Sequence, residues 1–204
     1  ESVSGGADVV CFSGDKILGG PQAGILVGNK DVIEQIRRNP LMRAVRCGKL
    51  TYAALEATLK LYLDRKRLIR TLPTLRMLTE SPAILRRRGK RLLDLLKYLG
   101  GIGWDLRLQD SVAQGGSGSL PMEKIPSIAL PLKGPAGCSI AGLATRLRQH
   151  SPPVLGYVRE DRVWLDLRST RSNEVGIVAD AIKWAVEGHE EGSAKNHQCR
   201  AEEV

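Results

Sequence analysis

The sequence is poor in the residues that build metal centres and disulfide frameworks. Its four cysteines, Cys11, Cys47, Cys138 and Cys199, stand far apart with no Cys-x-x-Cys pair, which argues against a zinc ribbon and a disulfide scaffold. Most of them fall in segments that read as ordinary folded structure, which suits a reducing compartment, so a cytoplasmic location is expected. His150, His189 and His197 do not cluster, and no metal site is expected. No run approaches the ~20 apolar residues of a membrane span, so no membrane partner is expected either. The opening residues, Glu1 to Gly6, carry no initiator Met, no basic n-region and no apolar h-region, unlike a signal peptide. A strand-like run follows almost at once, so the chain reads as a fragment whose N-terminal part lies elsewhere.

Charge and apolar residues are present in ordinary globular amounts. Of 204 residues, 42% are hydrophobic and 26% charged. Lys and Arg number 31 against 22 Asp and Glu, a formal charge of +9. The length suits one large or two small domains with a real core.

Ala7 to Phe12 is a short β-branched run between glycines and reads as a buried strand. A glycine-rich loop, 13–24, leads to a second strand at 24–28. Asn29 caps a helix over 31–38, Pro40 interrupts it, and 41–46 forms another turn. Leu55, Leu59 and Tyr62 recur at helical spacing within a helix over 50–63. Further helices are expected over 72–80 and, opened by Ser81-Pro82 and stopped by Gly100-Gly101, over 82–99. The pattern then changes. Strands are expected at 104–112 and 125–132, a helix at 139–149, and strands at 154–159 and 162–167 joined by a Glu160-Asp161 turn. A helix over 172–187 precedes a polar tail. The expected organisation is therefore 1–70, the end of an α/β domain with a connecting helix; 71–188, a small α+β domain; and 189–204, a disordered tail.

Lys16 is the most informative residue. It follows a strand inside a glycine-rich turn, Ser13-Gly14-Asp15-Lys16-Ile17-Leu18-Gly19-Gly20. Desolvation there would lower a lysine's pKa and free its amine to attack a carbonyl. Pyridoxal phosphate enzymes use lysine in that way, Ser13 is placed to donate to the cofactor phosphate, and glycines admit a flat cofactor. The plainer alternative is a solvated lysine in a surface loop. Arg43 and Arg46 are three apart, so a helical turn would put both on one side as a fork for a phosphate-type anion; the alternative is two exposed arginines on a basic protein. Arg86, Arg87, Arg88, Lys90 and Arg91 form the densest basic cluster. They read either as contacts to nucleic-acid phosphates or as a solvated helix face above Leu85, Leu92, Leu93 and Leu96.

The run FSGDKILGGPQAGILVG closely resembles the lysine segment of the bacterial selenocysteine synthases, the L-seryl-tRNA(Sec) selenium transferases. NPLMRAVR and KLTYAALEATLKLYL follow in that family's order and spacing. GGSGSLPMEKIPS resembles its glycine-rich loop, and PPVLGYVREDRVWLDLR its last β-hairpin. The likeness covers residues 1 to about 187 and is most specific in the first block. It implies an α/β fold, the C-terminal part of a fold type I pyridoxal phosphate enzyme ending in the small α+β domain. It implies that Lys16 forms the internal aldimine with pyridoxal 5'-phosphate and that Lys16 is a natural base for the α-proton of Ser-tRNA(Sec). Water then leaves, and selenium from selenophosphate adds to the dehydroalanyl group to give Sec-tRNA(Sec). The shared Gly-Asp-Lys triplet places Asp15 near the site, although a turn aspartate bonded to its own backbone is equally ordinary. The resemblance assigns Arg43 and Arg46 to the selenium donor; contact of Arg86, Arg87 and Arg88 with tRNA phosphates stands level with the solvated-face alternative. Cys47-Gly48 departs from the small residue and acid usual in the family. A homo-oligomer is expected. Two rivals stand beside this reading: another fold type I lyase acting on a small amino acid or sugar, and a catalytically incomplete RNA-binding fragment.

Overall fold

The computed structural model describes residues 1–115 and 123–201, with side chains described as far as Gly188. Two compact units divide between Thr79 and Glu80, further along than the boundary expected at residue 70.

In the first unit, β1 (Val9–Ser13) and β2 (Gly24–Gly28) pair antiparallel, Val9 opposite Gly28 and Ser13 opposite Gly24. Helix α1 (Lys30–Arg38) starts where expected, with the Asn29 side chain accepting from the Asp31 amide at 2.9 Å. Helices α2 (Leu41–Ala44) and α3 (Lys49–Leu61) follow. The helix expected over 72–80 is α5 (Pro73–Thr79), and a helix the sequence did not indicate, α4 (Arg65–Thr71), precedes it. Pro73 cannot donate the amide that would continue α4. β1 is not buried as expected. Among the described residues it pairs only with β2, and Phe12, Leu26 and Val27 are exposed. Helix α3 likewise leaves Leu50, Tyr52, Leu59 and Leu63 open to solvent.

The second unit holds the core. Helix α6 (Pro82–Leu95) is preceded by Ser81, which makes no side-chain cap bond, and passes into a 3-10 turn over Lys97–Ile102. The strand expected over 104–112 is broken into β3 (Asp105–Leu106) and β4 (Gln109–Ala113), which pair with successive parts of β5 (Ile125–Lys133). Helix α7 (Ile140–Gln149), capped by Ser139, leads to the hairpin β6 (Tyr157–Arg159) and β7 (Arg162–Asp166). β7 pairs with the other edge of β5, and every pairing is antiparallel. Helix α8 runs Val175–Ala201, past the end expected at 187, so the backbone expected as a tail continues as helix. The expected 115–121 loop, apart from Gly115, and residues 202–204 lie outside the described residues.

The core follows from spacing. On α6, Leu85, Arg88, Gly89 and Leu92 are the buried set, one helical stripe facing β5 and α8. Leu143 and Leu147 of α7, Val178 and Ile182 of α8, and Ile128, Leu130 and Leu132 of β5 complete it. Trp104 is buried within it, Trp164 lies beneath Arg159 and stacks with Tyr157, and Trp184 meets His150 edge-on. Among the described residues, no helix is long and apolar enough to cross a membrane.

Candidate active-site segment

The loop that carries Lys16 is fixed at several points within the first unit. The Gly14 amide donates to Ala23 O at 2.8 Å and the Gly20 amide to Gly14 O at 2.7 Å, drawing the two limbs together. A Cβ on Gly14 would stand 2.7 Å from the Pro21 carbonyl, so only glycine fits this approach. The Gly19 amide closes a turn onto Lys16 O at 3.0 Å, and Gly19 takes a positive φ of 74° that favours glycine. From outside the loop, the Tyr62 hydroxyl donates to Leu18 O at 2.9 Å. Burial holds the Tyr62 phenol above its usual pKa, so it stays a donor at neutral pH. A Cβ on Gly20 would meet Leu55 and Thr58 of α3 at 3.5 Å, and one on Gly19 would meet Leu72 at 3.4 Å. The turn is therefore a rigid platform.

Lys16 stands on that platform with its side chain exposed, and it forms no ion pair among the described residues. The burial that the sequence reading invoked to desolvate Lys16 is absent from this segment. Asp15 is exposed beside it and makes no side-chain hydrogen bond among the described residues, so it is not spent on capping its own turn. Ser13, half-buried, ends β1 opposite Gly24.

The two candidate donor-site arginines differ from expectation in local structure. Arg43 lies in the four-residue α2, but Arg46 follows the Val45 C-cap in irregular chain, so the shared helical face is lost. Both are exposed and without an ion pair among the described residues. Cys47, half-buried, is a free thiol.

Arg88 must be removed from the basic cluster. Its side chain is 3% exposed, donating to Glu80 at 2.8 and 2.9 Å and to Leu167 O at 2.8 Å. A phosphate outside the protein cannot reach it. Arg86 is half-committed, paired to Asp110 at 2.6 Å, whereas Arg87 is exposed. Sequence reasoning missed Arg168, which donates to Glu80 O at 2.9 Å and to Pro126 O. Its partner Asp166 accepts from the Ser127 hydroxyl at 2.6 Å and the Arg168 amide at 2.9 Å. These groups tie the start of the second unit to its sheet.

A family model described as L-seryl-tRNA selenium transferase matches residues 1–171. The chain belongs to that family. The L-seryl-tRNA(Sec) selenium transferase of Alkaliphilus metalliredigens is 44% identical over 185 residues, covering 90% of this chain and 39% of its own. That of Haemophilus influenzae (strain Rd) is 45% identical over 169 residues, covering 83% and 37%. That of Nitratidesulfovibrio vulgaris is 44% identical over 184 residues, covering 90% and 39%. The chain thus spans about two-fifths of the length of these relatives. A solved ureidoglycine–glyoxylate aminotransferase from Bacillus subtilis aligns over 90% of this chain and 48% of its own at a TM-score of 0.41 and 15% identity. That likeness is too loose to bear on fold or chemistry. Family membership encloses the Lys16 loop, Arg43, Arg46 and the α6 cations within the matched span.

Proposed function

We propose that the protein carries out the pyridoxal phosphate-dependent conversion of Ser-tRNA(Sec) to Sec-tRNA(Sec), with selenophosphate as selenium donor, as a cytoplasmic homo-oligomer. The observation that carries the reading is an unpaired primary amine, Lys16, held on a rigid glycine turn inside the family's span.

The residues present fit pyridoxal phosphate. The amine is accessible to an aldehyde, a free carboxylate adjoins it, and the β1 end offers a hydroxyl. When bound, the cofactor supplies an electron sink that lowers the barrier to removing a proton α to the amino group. The rest falls to the chain. Lys16 would hold the cofactor through Nζ, and the same amine would serve as base for the α-proton. Asp15 orients the Lys16 ammonium by its charge. Ser13 Oγ would help to hold the cofactor phosphate. Arg43 and Arg46 grip the oxygens of the donor anion in charge-assisted hydrogen bonds. Arg86 and Arg87 meet tRNA phosphates.

The test is covalent capture. Borohydride reduction of the full-length protein loaded with pyridoxal phosphate should leave a phosphopyridoxyl group on the peptide containing Lys16. Lys16→Arg keeps the charge but cannot condense with an aldehyde, and should abolish the label. Mass spectrometry that puts the group on Lys30 or Lys49 would overturn the assignment.

A further inference from the structure

Helix α4 was not expected from the sequence, and it carries four cations and no acid among its seven residues. Leu68 and Leu72 are buried and Ile69 half-buried. At 100° per residue these three share one side, and Lys66, Arg67 and Arg70 fall on the opposite one. All three cations are exposed. None makes an ion pair or a side-chain hydrogen bond among the described residues. Arg65, at the helix start, is exposed as well. The nearest acid, Asp64, is the N-cap: its carboxylate accepts from the Lys66 amide at 3.0 Å and the Arg67 amide at 3.1 Å. It holds the helix in shape and offsets only one of four positive charges.

Other basic helices carry ion pairs, although Arg87, Lys90 and Arg91 of α6 are exposed with none among the described residues. On α1, Arg37 pairs with Glu34; near α6, Arg86 pairs with Asp110 and Lys97 with Asp94, and Arg88 is buried against Glu80. On α4 the charge is left open, on a helix anchored by its cap and its leucines.

We propose that the outward face of α4, carrying Lys66, Arg67 and Arg70, is a docking surface for the phosphate backbone of a structured RNA. The identity of the polyanion rests on the function proposed above. Lys66 and Arg70 are one turn apart, about 6 Å between Cβ atoms, so both can meet one strand at once. A membrane is the weaker fit, because a helix that lies in a lipid surface turns apolar residues outward, and those of α4 turn inward. The contact is to backbone and carries no sequence preference; it adds affinity and positions the RNA.

The experiment is a salt titration of unacylated tRNA binding to the full-length protein and to its Lys66→Ala/Arg67→Ala/Arg70→Ala variant. Each phosphate contact contributes roughly 0.7–0.9 to the slope of log K against log salt. The variant should therefore lose about two to three from that slope, with turnover at saturating tRNA unchanged. Arg67→Lys/Arg70→Lys should keep the slope, and circular dichroism should show both variants folded. An unchanged slope in the folded triple variant overturns the proposal, as does a loss seen with anionic phosphatidylserine vesicles but not with tRNA. A protein whose RNA slope falls as stated, yet which makes no Sec-tRNA(Sec), would instead overturn the proposed function and leave this surface standing.

Discussion

Arg88 and Lys16 are both cations close to glycines, and their surroundings give them opposite tasks. Arg88→Ala would leave the Glu80 carboxylate without its partner in a partly buried site and should cost about 3–5 kcal/mol in urea unfolding of the second unit. Arg87→Ala, on the exposed face one residue away, should cost under about 0.5 kcal/mol. At the Lys16 loop, Gly14→Ala forces a methyl against the Pro21 carbonyl and should cost about 1–3 kcal/mol; faster exchange of the Gly14 and Gly20 amides would report it. Arg43→Ala and Arg46→Ala should leave loss of water from the seryl group intact, since it needs no donor. Each should raise the selenium-donor requirement about tenfold or more; failure of the dehydration step instead would assign them to the substrate or the fold. Cys138 makes a smaller point. Burial first, then Asp161, hold its thiol above the usual range against the pull of Arg146, so at pH 8 it should alkylate more slowly than the exposed Cys11. Lys16 was legible because its turn is written in glycines. Arg88 was obscured by its arginine neighbours, yet its spacing of three from Leu85 and four from Leu92 already put it on the apolar stripe.

The elements whose apolar rhythm and end signals agree are those the sequence reveals. Strand β2 starts and stops at glycines, β1 ends just before Gly14, α1 starts at Asn29 and α7 at Ser139, each within a residue or two of expectation. Helix α4 escaped because four of its seven residues are basic and its two buried leucines straddle its end. Two tests belong to this scale. Asp64→Ala removes the cap of α4 and should cost about 1 kcal/mol, loosening exchange across 65–71. The hairpin turn puts both Glu160 and Asp161 at positive φ, 51° and 52°. A left-handed backbone costs a residue with a Cβ roughly 1–2 kcal/mol, more than the exposed Arg159–Glu160 pair returns. Glu160→Asn/Asp161→Gly should therefore raise the melting temperature.

Across the molecule, burial is divided unequally. Leu68 and Leu72 are the buried hydrophobic residues described in the first unit, while the second holds the whole core cluster. Amide exchange should follow that division: β5, β7 and α7 amides should resist exchange longest, and those of β1 and β2 should exchange orders of magnitude sooner. Equal protection in both units would contradict it. The sequence had indicated the order of strands and helices in the second unit, but not the unit boundary. That boundary falls where Arg88 and Arg168 grip Glu80, long-range choices that no local pattern encodes. The aromatic placement has a practical consequence. The chain has three tryptophans, Trp104, Trp164 and Trp184, and all belong to the second unit. Intrinsic indole emission therefore reports the small α+β core; a denaturation curve recorded that way follows the unfolding of that core and not that of the Lys16 turn in the first unit. Phe12→Trp, on the exposed face of β1, would give that segment an optical signal of its own.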